Sequence, residues 1–136
     1  MMKSYTAVAA FLCLLASLSL NAWSSEPTKD SLQTVRKNIA EKHAVLVDVR
    51  EKAEWDNGHI EGAIFLPLSK LKENAEPATL AKLLPKDKIV YTHCVVGIRS
   101  ISAANILEEL GYQVRPLKQG YKELVAAGFK KDESHP

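Results

Sequence analysis

The sequence predicts an α/β fold with a central, mostly parallel β-sheet covered by helices on both faces. Short runs of aliphatic and β-branched residues, such as residues 44–47 and 88–92, indicate buried strands. Segments whose apolar residues recur at helical spacing lie between these runs. Parallel strands need crossover connections, and the intervening helices supply them.

The first two elements are a helix and a buried strand. Asp30 or Ser31 can cap the helix, because a helical pattern of apolar residues follows. These apolar residues are Leu32, Val35 and Ile39. Residues 44–47 are apolar throughout, which is typical of a parallel strand buried on both faces.

Proline, glycine and charged residues indicate the boundaries of the remaining helices and strands. The elements predicted before Pro85 are a charged helical turn at 50–57, a short strand at 63–66, and one or two helices at 68–84, interrupted near Pro77. After a turn at 85–87, the predicted elements are a strand at 88–92, a helix at 99–110, a strand at 112–117 and a helix at 121–127. Gly111 marks the end of the long helix.

The first 24 residues have the features of a cleavable signal peptide. Lys3 precedes an apolar run at residues 7–20, and Ala22 and Ser24 are the small residues that a signal peptidase favours. The apolar run is shorter than the about 20 residues needed to cross a bilayer. We therefore expect export to the periplasm, cleavage near Ser24 and no stable membrane anchor after processing.

Residues 25–136 then have the size of a single domain. The ordered core is expected at about 30–129, and residues 25–29 and 130–136 are expected to lack structure. The formal net charge is +2, of which Lys3 contributes one, and the lysines are scattered. This distribution argues against nucleic acid as the main partner, because phosphate binding needs a clustered basic face.

Cysteine usage points to one reactive thiol. Loss of the signal peptide removes Cys13 and leaves Cys94, so no internal disulfide can form. A lone thiol in an oxidising compartment is either deeply buried or chemically used. Cys94 follows the predicted strand at 88–92, at the sheet edge where α/β proteins bind ligands, which favours a chemical use.

The segment after Cys94 has the features of an anion-binding loop. It runs through Val95, Val96, Gly97 and Ile98 to Arg99 at the start of a helix. If the loop curls around the sulfur, its backbone N–H groups and the helix N-terminus favour a thiolate. Gly97 gives the backbone freedom for that curl, and Arg99 adds a cation.

Three segments carry a family resemblance. Residues 94–100, Cys-Val-Val-Gly-Ile-Arg-Ser, resemble the active-site loop of single-domain rhodaneses. Residues 47–51, Val-Asp-Val-Arg-Glu, and 58–63, Gly-His-Ile-Glu-Gly-Ala, are similar to the family's N-terminal patterns. Residues 117–121, Leu-Lys-Gln-Gly-Tyr, resemble its L-x-G-G-aromatic segment, with Gln119 in place of the first glycine.

This resemblance implies a rhodanese fold and a two-step sulfur transfer without a cofactor. Cys94 would take sulfane sulfur from a donor such as thiosulfate and pass it to cyanide or a thiol. The implied partners are a small sulfur-donor anion, a thiol acceptor, and a periplasmic redox or sulfur-acceptor protein.

Several polar residues allow a structural and a functional interpretation. Asp48 and Arg50 end the first strand at the edge that carries Cys94, where a hydrogen bond or ion pair is favoured over a direct role. Ser100 is a supporting residue of the loop. Glu51 and Glu54 lie one helical turn apart and are expected on a solvated helix face.

The histidines and large aromatic residues are also expected to be structural. His59 is expected to fix its loop. His93 is adjacent to Cys94, but neighbouring strand residues point to opposite faces, so direct His–Cys catalysis is not expected. No metal site is predicted, because the histidines lack ligand spacing. Trp55 and Tyr121 are expected in the core.

Two other function classes stay open. A cysteine phosphatase also presents N–H groups and an arginine to an anion, but it places five residues between cysteine and arginine, whereas this loop has four. A non-catalytic binding or redox-sensing module is the other alternative. The apolar pair Val95 and Val96 favours a protein or low-molecular-weight thiol acceptor over a small inorganic anion.

Overall fold

The structure is a computed structural model that describes residues 24–134. The predicted signal peptide, apart from Ser24, lies outside the described residues. The elements, in chain order, are α1 (Leu32–Ala40), β1 (Ala44–Asp48), α2 (Lys52–Asp56), β2 (Ile64–Phe65), α3 (Leu68–Glu73), α4 (Pro77–Leu83), β3 (Ile89–His93), α5 (Ile98–Glu109), β4 (Gln113–Pro116) and α6 (Tyr121–Ala126). Every predicted helix and strand is present, with boundaries shifted by a few residues.

The four strands form one parallel sheet in the order β2-β1-β3-β4. In the central pair, Ala44 lies opposite Ile89 and Asp48 lies opposite His93. The chain moves from β1 outward to β2 on one side, and from β3 outward to β4 on the other. This sheet confirms the predicted α/β class.

The sheet is packed on both faces. One core cluster joins β-strand residues such as Val47 and Val90 to buried side chains of α3, α4 and α5. The other joins Leu46 and Tyr91 to α1 and α6, through Val35 and Leu124. Alternate residues of β1 and β3 enter opposite clusters, as expected for strands buried on both faces.

Local signals explain where the helices begin and end. The hydroxyl of Ser31 accepts a hydrogen bond from the backbone N–H of Thr34, which makes Ser31 the N-cap of α1. The other predicted cap, Asp30, instead accepts hydrogen bonds from Tyr91 and Arg115. Gly111, with φ of +92°, follows the end of α5 in the left-handed conformation that favours glycine.

The ends of the domain are bound to it, which differs from the expectation that they lack structure. The backbone N–H of Thr28 donates to Pro116, and that of Ser25 donates to Asn105 Oδ1. At the other end, Lys131 forms an antiparallel bridge with Ile60. Backbone hydrogen bonding of this kind is not visible as a hydrophobic pattern, which is why the sequence did not predict it.

Within residues 24–134, no helix combines the length and the apolar character needed to cross a bilayer.

Candidate active site

Cys94 lies where the strand order of the sheet reverses. The chain leaves β1 toward β2 and leaves β3 toward β4, so the two loops separate and open a crevice at the carboxyl ends of these strands. Cys94 directly follows His93, the last residue of β3. This position is the one at which open parallel sheets bind ligands.

The loop after Cys94 turns its backbone toward the sulfur. The N–H of Gly97 donates a hydrogen bond to Cys94 Sγ over 3.2 Å. Gly97 has φ of +90°, and a Cβ there would lie 3.0 Å from Cα of Lys118. Cys94 is 1% exposed, so the loop encloses the sulfur and gives it one backbone hydrogen-bond donor.

Ser100, in the first turn of α5, anchors the end of the loop that joins this helix. Its buried hydroxyl lies 2.7 Å from the carbonyl oxygen of Gly97 and 2.8 Å from that of Leu117. The hydroxyl of Thr92, on β3, donates to the carbonyl of Ser100. These contacts join β3, the cysteine loop and the segment after β4.

Gly120 fits the loop because it has no side chain. A Cβ at Gly120 would lie 2.1 Å from the carbonyl oxygen of Val95. The neighbouring Gln119 occupies the position where related segments carry a first glycine. Gln119 has a negative φ, since Lys42 is the one non-glycine residue with positive φ among residues 24–134. The backbone at position 119 therefore does not require a glycine. Of the two glycine positions in this segment, only the second, occupied here by Gly120, is required by the contact with the cysteine loop.

Arg99 is held by Glu54, which the sequence interpretation had placed on a solvated face. Its two terminal nitrogens lie 2.6 and 2.9 Å from the two carboxylate oxygens of Glu54. This bidentate pair lowers the pKa of Glu54 to about 2, chiefly through the hydrogen bonds from Arg99. It also raises the pKa of Arg99, with the charge of Cys94 as a smaller contribution. Glu54 is the functional residue that sequence reasoning missed.

Asp48 and Arg50 form a buried ion pair beside the loop. The nearest oxygen and nitrogen are 2.7 Å apart, and the side chains are 0% and 6% exposed. Arg50 also donates to the carbonyl of Gly58, and its guanidinium lies over the ring of Tyr121. Through Arg50 the pair links the end of β1 to Gly58 and to Tyr121 at the start of α6.

His93 is enclosed behind the loop. Its Nε2 lies 3.6 Å from Asp48 Oδ2, and neither ring nitrogen makes a hydrogen bond of ordinary geometry. Burial is the largest cause of its lowered pKa, and Arg50 adds to the effect while Asp48 opposes it. His93 is therefore neutral at neutral pH, and no hydrogen bond joins its ring to the Cys94 thiol in the described structure.

His59 and Trp55 pack against each other, and Tyr121 lines the cleft beside the loop. His59 contacts the carbonyl of Trp55 and the carboxylate of Asp132, so it fixes its loop as predicted. The ring of Trp55 stacks on His59, with centroids 3.6 Å apart. Trp55 and Tyr121 are half-buried rather than fully in the core.

The outer surface of the loop is apolar. Val95 is 48% exposed, and Val96 and Ile98 are each 70% exposed. We call these three residues the apolar rim. A cleft of about 370 Å³ lies beside it, lined by Arg50, Val95, Gly120, Tyr121, Lys122 and Glu123.

The structure brings the predicted site residues together at one edge of the sheet. Cys94 to Gly97 form the loop, Ile98 to Ser100 form the first turn of α5, and Asp48 at the end of β1 pairs with Arg50 beside them. No group of three or more potential metal-ligating side chains occurs within the described part of the chain.

Comparison with known proteins identifies the family. The family model described as "Rhodanese-like domain" matches residues 31–127. The chain therefore belongs to the rhodanese-like family, and its α/β structure has the rhodanese-like fold. Membership supports a sulfurtransferase-type enzyme.

Individual relatives agree with this assignment. The chain is 31% identical over 99 residues to the thiosulfate sulfurtransferase GlpE of Coxiella burnetii, covering 71% of this chain and 78% of GlpE. It is 39% identical over 83 residues to the uncharacterized protein YqhL of Bacillus subtilis, covering 60% of this chain but only 61% of YqhL. The human single-domain sulfurtransferase TSTD1 superposes with a TM-score of 0.59 at 28% identity, covering 75% of this chain and 97% of TSTD1.

The close contact at Gly120 generates a first prediction. Gly120→Ala places a methyl group against the carbonyl of Val95, so the cysteine loop must shift and the reactivity of Cys94 falls at least about tenfold. The φ of Gly120 is −96°, which any residue adopts, so the effect reports the contact and not backbone strain. The rate of Cys94 alkylation by iodoacetamide measures it.

Gly62→Ala is the matched control, because Gly62 has φ of +78° but nothing within 4 Å of the added methyl group. It is expected to cost some stability and to leave the alkylation rate of Cys94 unchanged. Equal alkylation rates for Gly120→Ala and the parent protein would contradict the structural role of this contact.

The burial of His93 generates a second prediction, about stability and pH. The unfolded chain binds a proton at His93 below about pH 6.5, whereas the folded chain resists it because the pKa is lowered. Neutral, buried His93 therefore causes no loss in the free energy of unfolding above about pH 6.5. Below that pH the free energy of unfolding falls, because the unfolded chain takes up a proton that the folded chain resists. His93→Leu should flatten this loss, by up to about 1.4 kcal/mol per pH unit.

Urea unfolding between about pH 8 and pH 5 measures the effect. The control is His43→Gln, since His43 is exposed, and its profile should follow that of the parent protein. If His93→Leu retained the full acid loss of stability, another group would be responsible.

Proposed function

We propose that the protein is a sulfurtransferase in which Cys94 carries sulfane sulfur as a persulfide. The observation that carries the proposal is the enclosed Cys94 sulfur, which accepts a hydrogen bond from the Gly97 N–H at the carboxyl end of β3. A donor aimed at the sulfur stabilises negative charge there. That charge is present both on the thiolate and on the terminal sulfur of a persulfide.

In the first step the Cys94 thiolate attacks the outer sulfur of a donor such as thiosulfate. A bond forms between Sγ and that sulfur, the S–S bond of thiosulfate breaks, and sulfite leaves with the bonding electron pair. The N-terminus of α5 and the Arg99 cation lie at the same end of the loop and favour approach of the anion. No oxidant or metal is needed.

In the second step a thiophile removes the terminal sulfur. Cyanide or a thiolate attacks it, the S–S bond of the persulfide breaks, and its electron pair returns to Sγ as thiolate. Cys94 is thereby regenerated. The buried Asp48–Arg50 pair and Ser100 act by holding the loop and do not take part in the transfer.

The size of the loop favours a single sulfur over a phosphate group. Four residues separate Cys94 from Arg99, one fewer than in the cysteine phosphatases. The shorter loop leaves a smaller cradle, already closed enough for Cys94 to be 1% exposed.

Export to the periplasm is part of the proposal and rests on the signal-peptide pattern of residues 1–24. Outside the cytoplasm the thiol-reducing pool is absent, so a dedicated acceptor protein or reductant would regenerate Cys94. Fractionation of cells that produce the full chain, followed by N-terminal sequencing, tests cleavage near Ser24.

The proposed chemistry predicts a persulfide on Cys94. After incubation with thiosulfate, intact-protein mass spectrometry should show the added mass of one sulfur atom, and cyanide should remove it with formation of thiocyanate. Cys94→Ser should show neither, because the nucleophile is gone. The processed chain holds one cysteine, so the assignment needs no further mapping.

Two results would overturn the proposal. An unchanged protein mass at several pH values, with thiosulfate and with inorganic polysulfide as donors, would favour a binding module. Hydrolysis of a phenyl phosphate ester without thiocyanate formation would favour a phosphatase.

The Arg99 cation is predicted to act in the loading step. Arg99→Ala should slow sulfur loading from thiosulfate roughly tenfold, which is the scale of one partly solvated charge interaction. Stopped-flow measurement of loading, separate from the cyanide step, detects this difference. The double variant Glu54→Gln/Arg99→Ala should behave in the same way without leaving the carboxylate unpaired.

Arg115→Ala is the matched control. Arg115 also pairs with a carboxylate, that of Asp30, at 2.9 Å, but it does not belong to the cysteine loop. Its loading rate should equal that of the parent protein. Unchanged loading in both Arg99 variants would exclude the role assigned to Arg99.

A further inference from the structure

The strongly exposed large apolar side chains are concentrated around Cys94. Within residues 24–134 there are four of them, and three form the apolar rim of Val95, Val96 and Ile98. The fourth, Leu83, lies on α4. Single exposed aliphatic residues are ordinary, but three around one buried reactive sulfur form a patch that a binding partner can cover.

A reactant must contact this patch to reach the sulfur of Cys94. Cys94 is 1% exposed and belongs to the core cluster beneath the loop, so an attacking group approaches from the side of the rim. The three rim side chains do not contribute to either core cluster. Folding therefore does not explain why they are apolar, whereas contact with a reactant does.

The two arginines beside the loop are each paired with a carboxylate, whereas Lys118, which packs against Gly97, is exposed and forms no ion pair among the described residues. The Arg99 cation is held by Glu54, and the Arg50 cation is held by Asp48. In the cleft beside Val95, Lys122 is accompanied by Glu123. Because both arginines are held by carboxylates, they give the entrance less positive charge than two free arginines would, so apolar contact adds a second basis for selecting a reactant.

The cleft gives the reactant further room. Its volume of about 370 Å³ is larger than a thiosulfate or cyanide ion requires, and the Tyr121 ring and Val95 line it. A side chain next to an attacking cysteine can enter this space. The site thus fits a thiol that is carried by a polypeptide.

We propose that the apolar rim is the docking surface for an acceptor protein that presents a reactive cysteine between apolar side chains. The inference rests on the proposed function and names the acceptor class for the same site. The acceptor thiolate attacks the terminal sulfur of the Cys94 persulfide, the S–S bond breaks, and the electron pair returns to Cys94 Sγ. The acceptor leaves as a persulfide, and no oxidant is consumed.

Two model peptides test the proposal. The protein is loaded with sulfur by thiosulfate and mixed with acetyl-Ala-Leu-Cys-Leu-Ala-amide or with acetyl-Ala-Ser-Cys-Ser-Ala-amide. Mass spectrometry follows loss of the sulfur from the protein and its gain by the peptide. The leucine peptide should react about tenfold faster, the factor expected when one aliphatic side chain leaves water.

Variants assign that preference to the rim. Val96→Ser/Ile98→Ser should reduce the ratio of the two rates to about one, because the apolar contact is lost. Leu83→Ser removes an exposed leucine outside the loop, one that is 45% exposed, and its ratio should match that of the parent protein. The ratio cancels any general change in Cys94 reactivity.

The outcomes separate this inference from the proposed function. If the protein accepts sulfur but reacts equally with both peptides, or if the rim variant keeps the preference, the docking inference is wrong and the sulfurtransferase proposal stands. Faster transfer to free cysteine than to either peptide would also overturn it, in favour of a small-thiol acceptor. If no sulfur is loaded, the proposed function itself fails.

Discussion

The parallel pairing of β1 with β3 decides where chemistry can occur in this molecule. Because the chain leaves these two strands in opposite directions, a crevice opens at their carboxyl ends, and Cys94 follows β3 at that point. The same register places Asp48 opposite His93. The Asp48 carboxylate forms an ion pair with Arg50. This ion pair connects the end of the central strand to the loops around the sulfur. A site built on the ends of two central strands inherits their rigidity.

The cysteine loop is held mainly by backbone groups, and this explains which residues it tolerates. The Gly97 N–H points to the sulfur, while the carbonyl oxygens of Gly97 and Val95 point away from it, toward Ser100 and Gly120. Turning N–H groups inward requires the positive φ of Gly97, and packing the outward carbonyl of Val95 requires the missing side chain of Gly120. Neither requirement applies to the side chains of Val95, Val96 and Ile98. The identity of these three residues is therefore free to serve selection of the reactant.

The sequence predicted the fold and the loop because both are local patterns. Apolar runs predicted β1 and β3, the ends of the helices followed from Ser31 and Gly111, and Cys94 to Arg99 are adjacent in the chain. The pairing of Glu54 with Arg99 joins residues 45 positions apart, and no periodicity predicts it. The available signals were a glutamate in the third position of α2 and, far along the chain, an arginine at 99 with no acidic residue within four positions of it. The position of Tyr121 and the bound chain ends were missed for the same reason.

The pairing of charges also changes how selectivity at this site should be understood. An isolated Arg99 would make the entrance cationic and favour any small anion, whereas Glu54 lowers that advantage and fixes the direction of the guanidinium. In the proposed transfer, the Gly97 N–H would stabilise the reacting sulfur, and a single backbone donor does not distinguish one sulfur compound from another. Discrimination must come from the groups that a reactant contacts on its way to the sulfur. If the apolar rim docks the acceptor as proposed, the loop would separate chemistry at its backbone from selection at its exposed aliphatic side chains.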